Sequence, residues 1–278
     1  MLSFVFCFLL QSQPLFSGNN PSYRLAQVLT LALTIKPSNI TLDSKDSINK
    51  YLQENWLRKP EAERNTLTAP ASLTLCTLNK FQKAFHALEM IGFQKSSKNH
   101  IPSVIVILGC NYPDMKERVL FAKSYVNKLK KKPQVILLTG DRTLEKTRND
   151  NIPALDKDTP KNCLTEEDAG THLINTNPDL SMILLKSTKQ SKTKRATTAD
   201  NGKTLEKWLD TKKIKGHIIL ISTEPYGPYQ LATIQKNCRM ENISFSVLSV
   251  PLKKKFNGKT VSVCMDTLAR MVYTEINS

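Results

Sequence analysis

From Ile101 onward the chain alternates short apolar runs with segments of helical period. The runs are SVIVILG (Ser103 to Gly109), QVILLTG (Gln134 to Gly140), SMILLK (Ser181 to Lys186), HIILIS (His217 to Ser222) and SFSVLSV (Ser244 to Val250). Each run ends in polar or turn residues, which is how strands in an alternating α/β chain are bounded. The first four are nearly continuous in Val, Ile and Leu, so they predict strands covered on both faces, as in a parallel sheet flanked by helices. After the first run, Met115, Val119, Ala122, Val126 and Leu129 recur on one helical face, with Lys, Glu and Asn on the other. The pattern predicts a Rossmann-like three-layer α/β fold over residues 101–278, with a mostly parallel five-stranded sheet.

Residues 21–100 predict a helical N-terminal region packed on that domain. LTLCTLNKFQKAFHALEMI sets Leu78, Phe81, Phe85 and Leu88 at helical spacing, and His86 beside them reads as core edge rather than as a ligand. Pro37 to Pro70 reads as short helices and loops, while Leu25 to Ile35 fits a strand by alternation and a helix by composition. Residues 1–20 form an apolar leader of signal-peptide length, too short to span a bilayer as a helix. No Lys or Arg precedes its apolar stretch, and Phe16 beside Ser17 and Gly18 makes a poor cleavage site. A cytoplasmic location is therefore favoured over export, with a misassigned start as another account of the segment.

A chain of 278 residues with 40% hydrophobic and 23% charged residues has enough apolar material for a substantial core. Its formal net charge of +16 points to an anionic partner. The lysines fall in short clusters with few aromatics between them to stack on bases, so a solvated basic surface accounts for them. The loop KSTKQSKTKR (Lys186 to Arg195) is longer than its connection needs. It supplies the alternative function, a basic protein that binds nucleic acid or an anionic membrane.

Six separated cysteines without a C-x-x-C pair argue against a zinc ribbon or a dithiol motif, and most of them read as small buried residues. The four histidines lack H-E-x-x-H spacing, and G-x-S-x-G is missing, which disfavours zincins and typical serine hydrolases. No metal is predicted.

In an open parallel sheet, ligands bind beyond the carboxyl ends of the strands. Those ends read GCNYPD, TGDRT, KSTKQ and STEPYGPY, so polar residues and glycines gather on one rim. RATTADNG, before the amphipathic run KTLEKWL, opens a helix on the same rim. Thr197 or Thr198 suits its N-cap, and Asp200 or Asn201 suits the positive end of its dipole. A helix start at that edge also attracts anions.

The order of strand–LG, helix, strand–TG, TEEDAG, TADN and a strand ending in STEP resembles the YdcF family, which includes SanA and ElyC, over roughly Ser103 to Val250. The family's glycine-rich turn falls on Gly109, Cys110 and Asn111, and its second turn on Thr139, Gly140 and Asp141. Its acidic helix start falls on Glu166 or Glu167. Its N-T-x-E-N segment is matched by Thr197, Thr198, Ala199, Asp200 and Asn201, with Asp in place of Glu. In the loop after the fourth strand, Glu224 and Pro225 match a family Asp-Pro, while Tyr226 and Tyr229 stand where many members carry His and Arg. The resemblance implies a small anionic or nucleoside ligand, S-adenosylmethionine being the candidate, and a link to envelope processes. Asp141, Glu166 or Asp200 is then suited to ribose hydroxyls, and the amides at Thr198 to a carboxylate or phosphate. The G-x-G-x-G loop of ordinary methyltransferases does not follow the first strand, whereas the acidic rim leaves room for a reaction driven by a carboxylate base.

Overall fold

Five strands form the sheet: β1 Val104–Leu108, β2 Gln134–Thr139, β3 Met182–Lys186, β4 Gly216–Thr223 and β5 Ile243–Val250. Each overlaps one of the apolar runs and differs from it by one residue at one or both ends. The structure is a computed structural model describing residues 44–57, 74–92, 101–144, 159–160, 162–189, 196–252 and 256–276. All of these belong to one unit, Thr41–Ser278. The apolar leader, the Leu25 to Ile35 run and the lysine-rich loop beyond Lys189 lie outside the described residues.

Every neighbouring strand pair is parallel, in the order β3-β2-β1-β4-β5. The central strand β1 is buried at every position, and β2 and β4 are buried along most of their lengths. The third run departs from its expected coverage. β3 is an edge strand, so Leu184 and Leu185 are only partly buried and Ile183 is 37% exposed. Its apolar composition does not disclose this outer position.

Alternate residues of each inner strand point to opposite faces. Ile105, Ile107, Val135 and Leu137 pack in one core with α3 (Tyr112–Val126) and α4 (Glu166–Thr176), through Met115, Val119, Ala169 and Leu173. Val104, Val106, Ile136 and Leu138 pack in the other with α5 (Thr198–Thr211) and α6 (Gly227–Asn237), through Leu205, Leu209 and Ile234. The result is a three-layer Rossmann-like fold. Two earlier helices, α1 (Lys45–Asn55) and α2 (Leu75–Ala87), pack on the last helix, α7 (Gly258–Ile276). Phe81 and Phe85 supply the buried stripe of α2, whereas His86 is exposed.

Local chemistry fixes where the helices on the rim begin. Thr197 is the N-cap of α5: its side chain accepts from the Asp200 amide at 3.3 Å, while Asp200 accepts from the Thr197 amide at 2.8 Å. Thr165 and Asp168 form the same reciprocal box at α4, and the Asn111 side chain accepts from the Asp114 amide at α3. Such boxes satisfy two helix-end donors at once. Thr197→Ala is expected to cost about 1 kcal/mol, read as a Tm lower by about 2–4 °C in thermal denaturation. An unchanged Tm would deny the cap a share in stability.

Candidate functional site

The chain leaves β1 toward β2 and β3, whereas β4 and β5 lie on the other side of β1. Connections diverge at β1 and β4, and a crevice opens beyond their carboxyl ends. A cavity of about 320 Å³ occupies this crevice, with Gly109, Gly140 and Thr198 all in its wall. Residues far apart in sequence thus meet over a single edge of the sheet.

Close backbone approach explains Gly109. A Cβ there would lie 2.9 Å from both the Leu138 carbonyl oxygen and the Thr139 Cα, and 3.2 Å from Glu166 Oε2. Only glycine fits at that spacing without displacing β2. Glu166, the first residue of α4, reaches back over the strand ends and accepts from the Gly140 amide at 3.0 Å. Its carboxylate is buried, and it lines the cavity.

Of the residues singled out in the sequence, Gly109, Cys110, Asn111, Gly140, Glu166, Thr198, Asn201 and Tyr226 line this cavity. Four acidic residues from the same set do not. Asp141 accepts from the Ala196 amide at 2.5 Å, which ties the end of β2 to the approach of α5. Glu167 forms an ion pair with Lys186. Asp200 is buried within its capping box. Glu224 accepts from the Gly92 amide at 2.7 Å and the Leu252 amide at 3.0 Å, and its residue lines a neighbouring cavity. Of the three carboxylates considered for ribose, only Glu166 faces the space.

Thr197 and Tyr229 line the cavity too, and it also gathers residues that the sequence did not single out: Arg118, Arg142, Gln230, Lys259 and Arg270. Arg118, on α3, is 2% exposed. Its Nε donates to Thr223 Oγ1 at 2.9 Å, and its Nη1 donates to the carbonyls of Leu108 at 2.5 Å and Gly109 at 3.4 Å. One guanidinium therefore bridges the ends of β1 and β4. Its Nη2 makes no hydrogen bond, and no carboxylate pairs with it among the described residues. A buried charge in this condition is costly unless an anion completes it.

Arg270 is different, because Asp266 holds it in two hydrogen bonds of 3.2 and 3.1 Å. Asp266 is fully buried, so this pair fixes the guanidinium at the cavity edge. Asn201 Oδ1, also in the wall, is buried without a hydrogen-bond partner. Burial pushes the Cys110 thiol up to about 12, with Asp114 and Glu166 adding to the rise and Arg118 opposing it. At neutral pH the group remains a thiol, unsuited to nucleophilic attack.

Arg118 had a signal in the sequence. It falls three residues after Met115 and four before Ala122, within the apolar stripe of α3, where a charged residue needs a buried partner. Lys259 and Arg270 had none, since only tertiary packing brings α7 over the sheet edge.

Among the described residues, no group of three or more His, Cys, Asp or Glu side chains is arranged to hold a metal ion. No described helix is long and apolar enough to cross a membrane. Comparison with protein-family models, curated proteins and solved structures finds no match for this chain.

Proposed function

We propose that this protein binds a small anionic ligand in the crevice between the carboxyl ends of β1 and β4. The observation that carries the reading is Arg118, a buried guanidinium in the cavity wall with no carboxylate partner among the described residues. Arg142, Lys259 and Arg270 add further cationic residues to the wall, and the start of α5 at Thr198 adds the positive end of a helix. A volume of about 320 Å³ falls at the small end of ligand pockets. Glu166 and Asn201 give the same wall hydrogen-bonding oxygens, which suit hydroxyl or amino groups beside the anion. A nucleoside bearing an anionic group satisfies both requirements. The resemblance to the YdcF family makes S-adenosylmethionine a specific candidate and an envelope-related role the wider proposal.

Calorimetric titration with inorganic phosphate, AMP and S-adenosylmethionine tests the reading. At least one of the three is expected to bind, and Lys259→Ala, which alters an exposed side chain, is expected to weaken that binding by roughly tenfold. Absence of binding to all three by the unaltered protein would overturn the proposal. Adenosine, tested alongside, separates recognition of the nucleoside from recognition of the charge.

A further inference from the structure

We infer that the ligand is amphiphilic: an anionic group held at Arg118 is joined to an apolar group of aryl size lodged in the adjoining cavity. This rests on the anion-binding reading above and extends it to the class of ligand.

A second cavity, of about 480 Å³, lies over the ends of β4 and β5. Its wall is predominantly apolar, with Pro113, Val250, Pro251 and Leu252 among its residues, whereas the wall around Arg118 is predominantly polar. The two spaces adjoin. Asp114, Tyr226, Lys259 and Val263 belong to both walls, and Thr223, which accepts from Arg118, lines the second. The carboxylate of Glu224, the buried acid beside the second space, is already engaged by two backbone amides, so it does not impose a cationic group there. A free inorganic anion would use the polar compartment and leave the apolar one wet. A ligand carrying an apolar group next to its charge covers both, and removal of that group from water adds to affinity.

The test compares inorganic phosphate with phenyl phosphate by calorimetry, on the unaltered protein and on Thr260→Trp. Thr260 lines only the apolar compartment of the two, is partly exposed and sits in the first turn of α7, so the indole takes up aryl-sized space in that compartment without entering the core. The Thr260 amide keeps its hydrogen bond to Asn257 Oδ1. Phenyl phosphate is expected to bind the unaltered protein at least about tenfold more tightly than phosphate. Thr260→Trp is expected to abolish that advantage while leaving phosphate affinity unchanged. Equal affinities in the unaltered protein, or an advantage that survives Thr260→Trp, would overturn the amphiphilic assignment and leave anion binding standing. Failure of both compounds to bind would overturn the amphiphilic assignment, and failure of AMP and S-adenosylmethionine as well would overturn the anion-binding reading with it.

Discussion

Replacing Arg118 by methionine is expected to lower stability toward urea by about 3 kcal/mol and to weaken phosphate binding about a hundredfold. The first effect follows from three acceptors that lose a charged donor together: the carbonyls of Leu108 and Gly109 and the hydroxyl of Thr223. Two of these belong to β1 and the residue after it, and the third ends β4, so the substitution loosens the seam where the two halves of the sheet meet. The second effect follows from loss of a desolvated positive charge in the cavity wall. Arg118→Lys keeps the charge but lacks the planar fork that reaches both strands. It should therefore recover part of the binding and little of the stability. Urea unfolding and calorimetry on the same preparations separate the two roles. A methionine variant with an unchanged urea midpoint and unchanged phosphate affinity would remove Arg118 from both. A gain in stability accompanied by loss of binding would show that burying the charge outweighs its three hydrogen bonds, as expected for a group retained for the ligand.

Glu224→Ala should cost about 3 kcal/mol and release the segment that follows α2. Glu224 is 4% exposed, and its two carboxylate oxygens accept from Gly92, after α2, and Leu252, after β5. Removing it leaves two part-buried amides without their acceptor. Glu224→Gln recovers at most half, because the new NH₂ group faces an amide N–H on one side. Hydrogen exchange provides a local readout, with faster exchange expected at Gly92 and Leu252 and unchanged exchange in β1. If exchange at Gly92 stays constant in the alanine variant, the packing of Phe81 and Phe85 holds this segment without help from Glu224.

These two residues also mark how far a sequence discloses its structure. Burial on both faces selects uninterrupted Val, Ile and Leu, so Val104–Leu108 and Gln134–Thr139 were legible from composition and bounding residues alone. β3 has the same composition at an edge, because the run records apolar character without recording its neighbours. The rim was legible for a related reason: parallel strands bring all their carboxyl ends to one side, and Gly109, Gly140 and Thr198 meet there. The tasks of individual carboxylates were hidden. Asp141 meets an amide 55 positions away and Glu224 one 132 positions away, and neither partner has a local signature. Lys259 and Arg270 reach the cavity from α7, whose placement depends on contacts with α1, α2 and α6.

The pairing of β1 with β4 has a consequence in time. Val104 finds its partner on one side at Gln134, but on the other side only at Ile218. Loop closure over such a span must be completed before the contacts it permits can repay it, which slows folding of sheets with distant partners. As the chain emerges during synthesis, β1 to β3 are available before β4, and the flank of the most deeply enclosed strand stays bare in that interval. An unpaired apolar edge of this kind invites pairing with other chains. The same ordering of strands that creates a ligand crevice in the finished molecule therefore makes its assembly the period of greatest exposure to aggregation.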